Sequence, residues 1–261
     1  MRTRIISALV AIPLFLYVII KGGLTLRLAV LFLAFMAANE FFNAFKNIDI
    51  YGSKPIAIFA IISMFLITLK EIDQKLIMAW FFIIMIATFI NTIFNRKLNP
   101  LSSAITMLGV CYVIFFMYHI VFIVNCSKYN YLIWLVFIVA WATDTFAYFS
   151  GYIFGKRKLC PNISPKKTIE GAIGGILGSI LMSFLFAYFF ASEVTYHCMI
   201  IGFIGSILGQ FGDLTASMFK RYVGIKDYGN IMPGHGGVLD RFDSILFTAP
   251  TVYYYINLFI K

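Results

Sequence analysis

The sequence predicts an all-α integral membrane protein with about nine transmembrane helices. Of its 261 residues, 61% are hydrophobic and only 12% are charged, and the mean hydropathy is +0.91. A soluble globular domain carries about twice this fraction of charged residues. Uncharged runs long enough to cross a bilayer core, about 17–25 residues, recur along the chain. These observations exclude a soluble protein and favour a polytopic membrane protein without a soluble domain.

The uncharged runs define the predicted spans. We place them near residues 5–20, 24–42, 55–69, 76–94, 102–125, 131–151, 170–191, 197–214 and 244–260. The first is not followed by a small-residue cleavage site, so we expect it to be retained. The third is short and would require tilting or local thinning of the bilayer. We divide the chain into N-terminal transmembrane helices (1–130) and a transmembrane catalytic region that carries the motifs (131–261).

The basic residues predict the orientation in the membrane. With nine spans, 15 of the 21 lysines and arginines fall on the side that carries the N-terminus. The positive-inside rule places this side in the cytoplasm. The net charge of +10 is then loop charge facing an anionic leaflet, and nucleic acid is not an expected partner. The predicted location is the cell membrane, and the sequence leaves open whether the chain forms a homo-oligomer.

The eleven carboxylates separate into two groups. Five lie at span ends or in loops, where we expect solvated charges: Glu40, Asp49, Glu71, Asp73 and Glu193. The other six lie in the second half, on or beside segments of the cytoplasmic side: Asp144, Glu170, Asp213, Asp227, Asp240 and Asp243. An enzyme that acts on a nucleoside triphosphate at a membrane surface needs such a group to hold divalent cations.

Asp144 is the carboxylate placed deepest in an apolar segment. A charge there is costly, so we predict that it faces a polar cavity. On a helix, Asp144, Tyr148, Gly151 and Gly155 share one stripe. The alternative is an ion pair that ties two helices together.

A basic loop precedes the seventh predicted span. Ser164 is followed by a proline, and Lys166, Lys167 and Thr168 would then cluster at a helix N-terminus, which itself attracts anions. We predict that this loop binds phosphate. Positive charge that only sets the orientation of the protein is the alternative.

The densest group of charges lies in residues 217–243, which we call the polar segment. Asp213, Ser217 and the pair Lys220 and Arg221 fall on one helix face at this spacing. Lys226 and Asp227 follow in the same segment.

The sequence Pro-Gly-His-Gly-Gly at 233–237 cannot be the interior of a helix. It predicts a turn in which the amides of Gly236 and Gly237 approach a phosphate. For His235 we favour positioning or phosphate contact over a role as general base, since a phosphate monoester is already an anion near neutral pH. Asp240 and Asp243 would be near neighbours at the following helix start.

Three parts of the chain, between about 144 and 244, resemble the signature of the CDP-diacylglycerol synthase (phosphatidate cytidylyltransferase) family. They are the helix that carries Asp144, the basic loop and the polar segment. The resemblance is carried in the polar segment by Ser217, Lys220, Arg221, Lys226, Asp227, Pro233, His235, Gly236, Gly237, Asp240, Arg241 and Asp243. It implies that phosphatidate attacks the α-phosphorus of CTP, that pyrophosphate leaves, and that CDP-diacylglycerol forms with Mg²⁺ as cofactor. Two positions depart from the usual pattern: Ala216 replaces a frequent Glu, and Met232 replaces Leu, Ile or Phe.

The motifs and the resemblance together give a candidate site. Its metal ligands would be Asp213 and Asp240. Its catalytic residues would be Asp144, Asp213, Lys220, Arg221, Lys226, Asp227, His235, Asp240, Arg241 and Asp243. Its substrate-binding residues would be Ser164, Lys166, Lys167, Thr168, Ser217, Gly236 and Gly237.

The expected partners are CTP, phosphatidate and the lipid bilayer. Two other functions are alternatives. One is a CTP-dependent lipid kinase, which would also need metal and triphosphate binding. The other is an ion-coupled transporter, in which Asp144 and Asp213 would be the ion-coupling acids. A transporter predicts inverted repeats, which are not evident, and does not explain a cytoplasmic loop rich in Gly and Lys.

Overall fold

The computed structural model describes residues 2–70, 73–126, 128–229 and 236–260, with side chains from residue 12 onward. These residues are almost entirely helical. The main helices are α1 (Arg2–Lys21), α2 (Gly23–Phe45), α3 (Lys54–Thr68), α4 (Gln74–Phe94), α5 (Pro100–Leu108), α6 (Phe116–Val124), α7 (Ile133–Phe154), α8 (Ile169–Phe190), α9 (Thr195–Tyr222), α10 (Leu239–Phe242) and α11 (Ile245–Phe259). A π-helical stretch, Gly109–Phe115, joins α5 to α6. Strands β1 (Lys158–Cys160) and β2 (Ser164–Thr168) form an antiparallel hairpin.

The all-α polytopic membrane fold is confirmed. Within the described residues, six helical segments are long and apolar enough to cross a membrane: Gly23–Ile48, Gln74–Phe94, Pro100–Val124, Asn130–Phe154, Ile169–Phe190 and Ser192–Tyr222. Helices also occupy the other predicted positions. Of these, α3 and α11 have 15 residues each, which is short for a span, so the count of nine stays a prediction.

Helix α9 extends further than the hydropathy predicted. It runs Thr195–Tyr222, whereas the predicted span ended at residue 214. Asp213 therefore lies in the interior of a helix, and Ser217 and Lys220 follow it on the same helix. The predicted alignment of these polar side chains along one face is confirmed.

The chain divides into two compact units. The first comprises Met1–Asn125 and Tyr222–Arg241, and the second comprises Cys126–Arg221 and Phe242–Lys261. The first break lies close to the division predicted at residue 130. Most of the polar segment, however, belongs to the unit of the N-terminal helices.

In the first unit the core lies around the C-terminal half of α2. Phe41, Phe42 and Phe45 are at most 1% exposed there. A Cβ atom at Gly109 would lie 2.6 Å from Cζ of Phe42, so only glycine lets the π-helical stretch approach this ring. Tyr118 of α6 donates to the carbonyl oxygen of Ile61 on α3 at 2.9 Å. The π-helical stretch thus packs against the end of α2, and α6 is joined to α3 in the same unit.

In the second unit, glycines bring α8 against α7. A Cβ atom at Gly171 would lie 2.9 Å from the carbonyl oxygen of Ala147, and one at Gly175 would lie 2.9 Å from that of Thr143. The recurring glycines are therefore packing residues, as small residues at membrane helix contacts generally are. The Thr143 hydroxyl donates to Ser206 at 2.8 Å, which adds α9 to the same bundle.

Candidate active site

The basic stretch 164–168 is a strand, and not the loop that the sequence predicted. Lys158 pairs with Thr168 in the hairpin. Thr168 ends the strand and caps α8, accepting a hydrogen bond from the Gly171 amide at 3.1 Å. The Glu170 carboxylate accepts from the amides of Lys156 and Arg157 at 3.1 and 3.2 Å. The hairpin is thus attached to the start of α8, and it presents its lysines from an ordered backbone.

Five predicted residues meet at one cavity in the second unit. This cavity has a volume of about 470 Å³ and lies between α7, α8, α9 and the hairpin. Five of the residues that line it were assigned to the site from the sequence: Asp144, Lys166, Lys167, Thr168 and Asp213. The structure therefore places Asp144 and Asp213 on the wall of one cavity, most of whose lining surface is apolar. Its wall also includes Tyr148, Tyr152 and Gln210, whose side chains the sequence did not single out as site residues.

Asp213 has two side-chain partners, one charged and one neutral. Lys167 forms an ion pair with its Oδ2 atom, and the Ser217 hydroxyl donates to Oδ1 at 3.3 Å. The side chains of Lys167 and Asp213 are 28% and 24% exposed. Both charges are therefore accessible from the cavity, and a lysine side chain can turn away when a ligand offers a better partner.

Asp243 adds a third carboxylate to this region. Burial raises its pKa to about 7, and the negative charges of Asp213 and Asp144 act in the same direction. The Ser244 amide, which donates to Oδ1 at 2.8 Å, acts in the opposite direction. Gly212 lets the backbone at Asp243 pack closely against α9, since a Cβ atom at Gly212 would lie 2.6 Å from the Asp243 carbonyl oxygen. Asp213 and Asp144 are thus close enough to Asp243 for their charges to act on it.

The basic end of α9 contacts the hairpin. Nε of Arg221 donates to the carbonyl oxygen of Ile163 in the hairpin turn at 3.4 Å. The charge of Lys220 lowers the pKa of Asp243, although burial outweighs it. Both predicted cations therefore lie next to the elements that form the site.

The rest of the polar segment is in the first unit. Asp240 accepts hydrogen bonds on Oδ2 from the amides of Tyr228 and Gly237, at 2.8 and 3.0 Å. Gly236 has φ of +85°, a conformation that favours glycine. The side chains of Lys226, Asp227 and Arg241 are exposed. His235 and Pro233 lie outside the described residues, so their predicted roles stay predictions.

The sequence matches the cytidylyltransferase family over residues 2–259. The chain belongs to this family. A phosphatidate cytidylyltransferase of Staphylococcus haemolyticus (strain JCSC1435) is 37% identical over 262 residues, covering 96% of each chain. Those of Staphylococcus saprophyticus (strain ATCC 15305) and Staphylococcus aureus (strain N315) are each 36% identical over 260 residues, again covering 96% of each chain. The resemblance inferred from the motifs is confirmed.

The carboxylates of this cytidylyltransferase family member suit a magnesium ion that is shared with a substrate. In the described part of the chain, no group of three or more His, Cys, Asp or Glu side chains is placed to hold a metal ion. Mg²⁺ needs only one or two protein carboxylates, since waters and phosphates supply its other ligands. Asp213 fits this requirement. Asp144 lines the same cavity, and Asp243 lies close enough to both for their charges to act on it. Asp240 belongs to the other unit, and its pairing with Asp213 around a metal stays a prediction.

One acid was assigned wrongly from the sequence. Glu40 was expected to be solvated, but it is only 4% exposed. Its carboxylate accepts hydrogen bonds from the amides of Val238 and Leu239, at 3.0 and 2.8 Å. A signal was present, because no charged residue occurs between Arg27 and Lys46 except Glu40, and an acid in an apolar helix is by default functional.

Proposed function

We propose that this chain transfers the cytidylyl group of CTP to phosphatidate, giving CDP-diacylglycerol and pyrophosphate. The observation that carries the proposal is the match to relatives named phosphatidate cytidylyltransferase over 96% of the chain. The cavity supports it, because cations and carboxylates meet there among helices that are apolar enough to cross a membrane. A lipid phosphate and a nucleotide could both reach such a site.

The charges of the cavity suit an attack of one phosphate on another. The phosphatidate oxygen forms a bond to the α-phosphorus of CTP, and the bond from that phosphorus to pyrophosphate breaks. Lys166 and Lys167 reduce the repulsion between the two anions, and the N-terminus of α8 adds to this effect. A general base is not required, since the attacking phosphate is already ionised near neutral pH.

We propose Mg²⁺ as the cofactor, held by Asp213 and, as the resemblance implies, Asp240. When bound, the ion neutralises triphosphate charge as the reaction proceeds. Lys167 offsets the charge of Asp213 through their ion pair. The Ser217 hydroxyl orients the same carboxylate from one helical turn further along α9.

We propose that the site faces the cytoplasm, because most lysines and arginines fall on its side of the predicted topology. The contact of Glu40 bears on the number of spans. Glu40 lies near the end of α2 and bonds to residues 238 and 239, so both belong to one side of the membrane. The chain must then cross an even number of times between them. Five of the intervening helical segments satisfy the length for a span, and α3 is the sixth. An even count requires α3 to cross, although its 15 residues reach only about 22 Å.

The test uses CTP labelled at different phosphates. The purified full-length protein is incubated with Mg²⁺ and either phosphatidate or diacylglycerol in mixed micelles. We expect the α-phosphate label in the lipid and the γ-phosphate label in released pyrophosphate. A lipid kinase would instead move the γ-label to diacylglycerol. A protein that binds both substrates but places neither label in lipid would refute both activities and favour the transporter.

A further inference from the structure

Glu40 makes an unusual set of contacts for an acid in a membrane helix. Its two carboxylate oxygens accept hydrogen bonds from consecutive backbone amides, Oε1 from Val238 and Oε2 from Leu239. Nearly 200 residues separate the partners in sequence. We call Glu40, Gly229, Gly237, Val238 and Leu239 the glutamate cradle. All five belong to the first compact unit.

Two glycines of the cradle leave room only for this carboxylate. A Cβ atom at Gly229 would lie 2.7 Å from Oε1, and one at Gly237 would lie 2.5 Å from Oε2. Real Cβ atoms do not approach oxygen so closely, so any other residue would displace Glu40 or the backbone. Gly229 and Gly237 precede and follow the Pro-Gly-His sequence at 233–235. The carboxylate therefore contacts the backbone on both sides of that sequence.

Asp240 holds the same backbone independently of Glu40. Its Oδ2 atom accepts from the amides of Tyr228 and Gly237. The two acids thus accept from four different amides: Asp240 from those of Tyr228 and Gly237, and Glu40 from those of Val238 and Leu239. Burying a carboxylate is costly unless hydrogen bonds compensate, and here they come from these backbone amides.

We infer that Glu40 is a positioning residue for the polar segment: it fixes the backbone at 237–239, and thereby the directions of Asp240 and Arg241. The inference rests on the proposed function, because Asp240 and Arg241 are assigned to that site. Glu40 itself is buried and bonded to backbone on both oxygens, so it acts through the residues that follow. The sequence offers no such role for an acid so distant from the motifs.

The first test compares Glu40→Gln with Phe41→Leu. Phe41 is 0% exposed on the same helix, its ring packs against Phe45 and Tyr112, and its side chain has no group that accepts a hydrogen bond from an amide. A Gln keeps the size but offers one acceptor oxygen in place of two. We expect Glu40→Gln to lower kcat about tenfold or more, a typical cost of misplaced catalytic groups. Phe41→Leu should lower the thermal midpoint without lowering kcat more than about twofold.

The second measurement does not depend on activity. Hydrogen exchange at the amides of Val238 and Leu239 should accelerate in Glu40→Gln and stay slow in Phe41→Leu. Another outcome is that the wild-type protein lacks cytidylyltransferase activity while exchange still accelerates only in Glu40→Gln. In that case the proposed function fails and the cradle stands. Unchanged exchange in Glu40→Gln, or equal kcat in Glu40→Gln and wild type, would overturn the inference.

A double-mutant cycle tests the contact itself. Gly229→Ala places a methyl group against Oε1, so it should lower kcat in the wild-type background. Glu40→Asp shortens the acid by one methylene and makes room for that methyl group. We expect the double variant to lose less activity than the product of the two single losses, which reports a direct interaction. Multiplicative losses would show that Glu40 and Gly229 act separately.

Discussion

Two carboxylates of this protein show how differently an acid can be used in an apolar chain. Asp213 is 24% exposed in the cavity and is held by two side chains, Lys167 and Ser217. Glu40 is 4% exposed and is held by two backbone amides. Side-chain donors can turn to a ligand, whereas amides of a packed backbone cannot leave without unfolding it. Asp213 is therefore available for chemistry, and Glu40 shapes the chain around the chemistry.

The largest expected effect is that of Asp213→Asn. Asn keeps the size and the bond from Ser217 but removes the charge that holds Lys167 and, as proposed, Mg²⁺. We expect kcat to fall about 100-fold or more, with the thermal midpoint within a few degrees of wild type. The measurement is the rate of CDP-diacylglycerol formation at several Mg²⁺ concentrations.

Glu193→Gln is the matched control for Asp213→Asn. Glu193 is an exposed acid of the same unit, and it accepts a hydrogen bond from the Tyr131 hydroxyl at 3.1 Å. Its variant should keep the wild-type rate. An Asp213→Asn enzyme with near-normal turnover at low Mg²⁺ would remove the contrast between the two carboxylates.

Part of the cavity lining was predictable from the sequence, and the cradle was not. Asp144, Lys167 and Asp213 were found because each is a polar residue in or beside an apolar run, within a recognisable motif. Glu40 was missed because its partners are backbone amides almost 200 residues away, and a backbone amide leaves no mark in a sequence.

One local feature was also misjudged, for a physical reason. The stretch 164–168 contains a proline and two lysines, which are depleted in strands, yet it pairs with Lys158–Cys160 in a hairpin. By contrast, the spacing of Asp213, Ser217, Lys220 and Arg221 predicted that the helix continues past the hydrophobic span that ends at 214. It continues to Tyr222.

A smaller effect is expected for Asp144→Asn. This variant tests whether Asp144 takes part in the chemistry, like Asp213, or supports the structure, like Glu40. Asp144 is exposed on the cavity wall and lies close enough to Asp243 to raise its pKa. We expect an activity loss of about 10-fold or more with a nearly unchanged thermal midpoint in detergent. An unchanged rate with a shifted midpoint would instead assign Asp144 to the scaffold, as a member of an ion pair between helices.

The smallest expected effect concerns the pH dependence of stability and Asp243, which lies between the two extremes. Its pKa is raised to about 7 in the folded protein, compared with about 3.9 for an unperturbed Asp. Between these values the folded state binds more protons than the unfolded state, so the free energy of unfolding falls as pH rises. Asp243→Asn cannot titrate. In chelator-treated protein, its thermal midpoint should therefore fall less than that of wild type between pH 5.5 and 8.

The matched control for this pH experiment is Asp49→Asn. Asp49 is exposed and has φ of 58°, a conformation that Asn tolerates, so this variant should keep the wild-type slope of midpoint against pH. If Asp243→Asn also keeps that slope, the charge of Asp243 is already balanced in the folded protein. Asp243 would then resemble Glu40, as an acid whose cost of burial is compensated by fixed hydrogen bonds. A flattened slope would place it with Asp213, as an acid whose charge is left for a bound cation to neutralise.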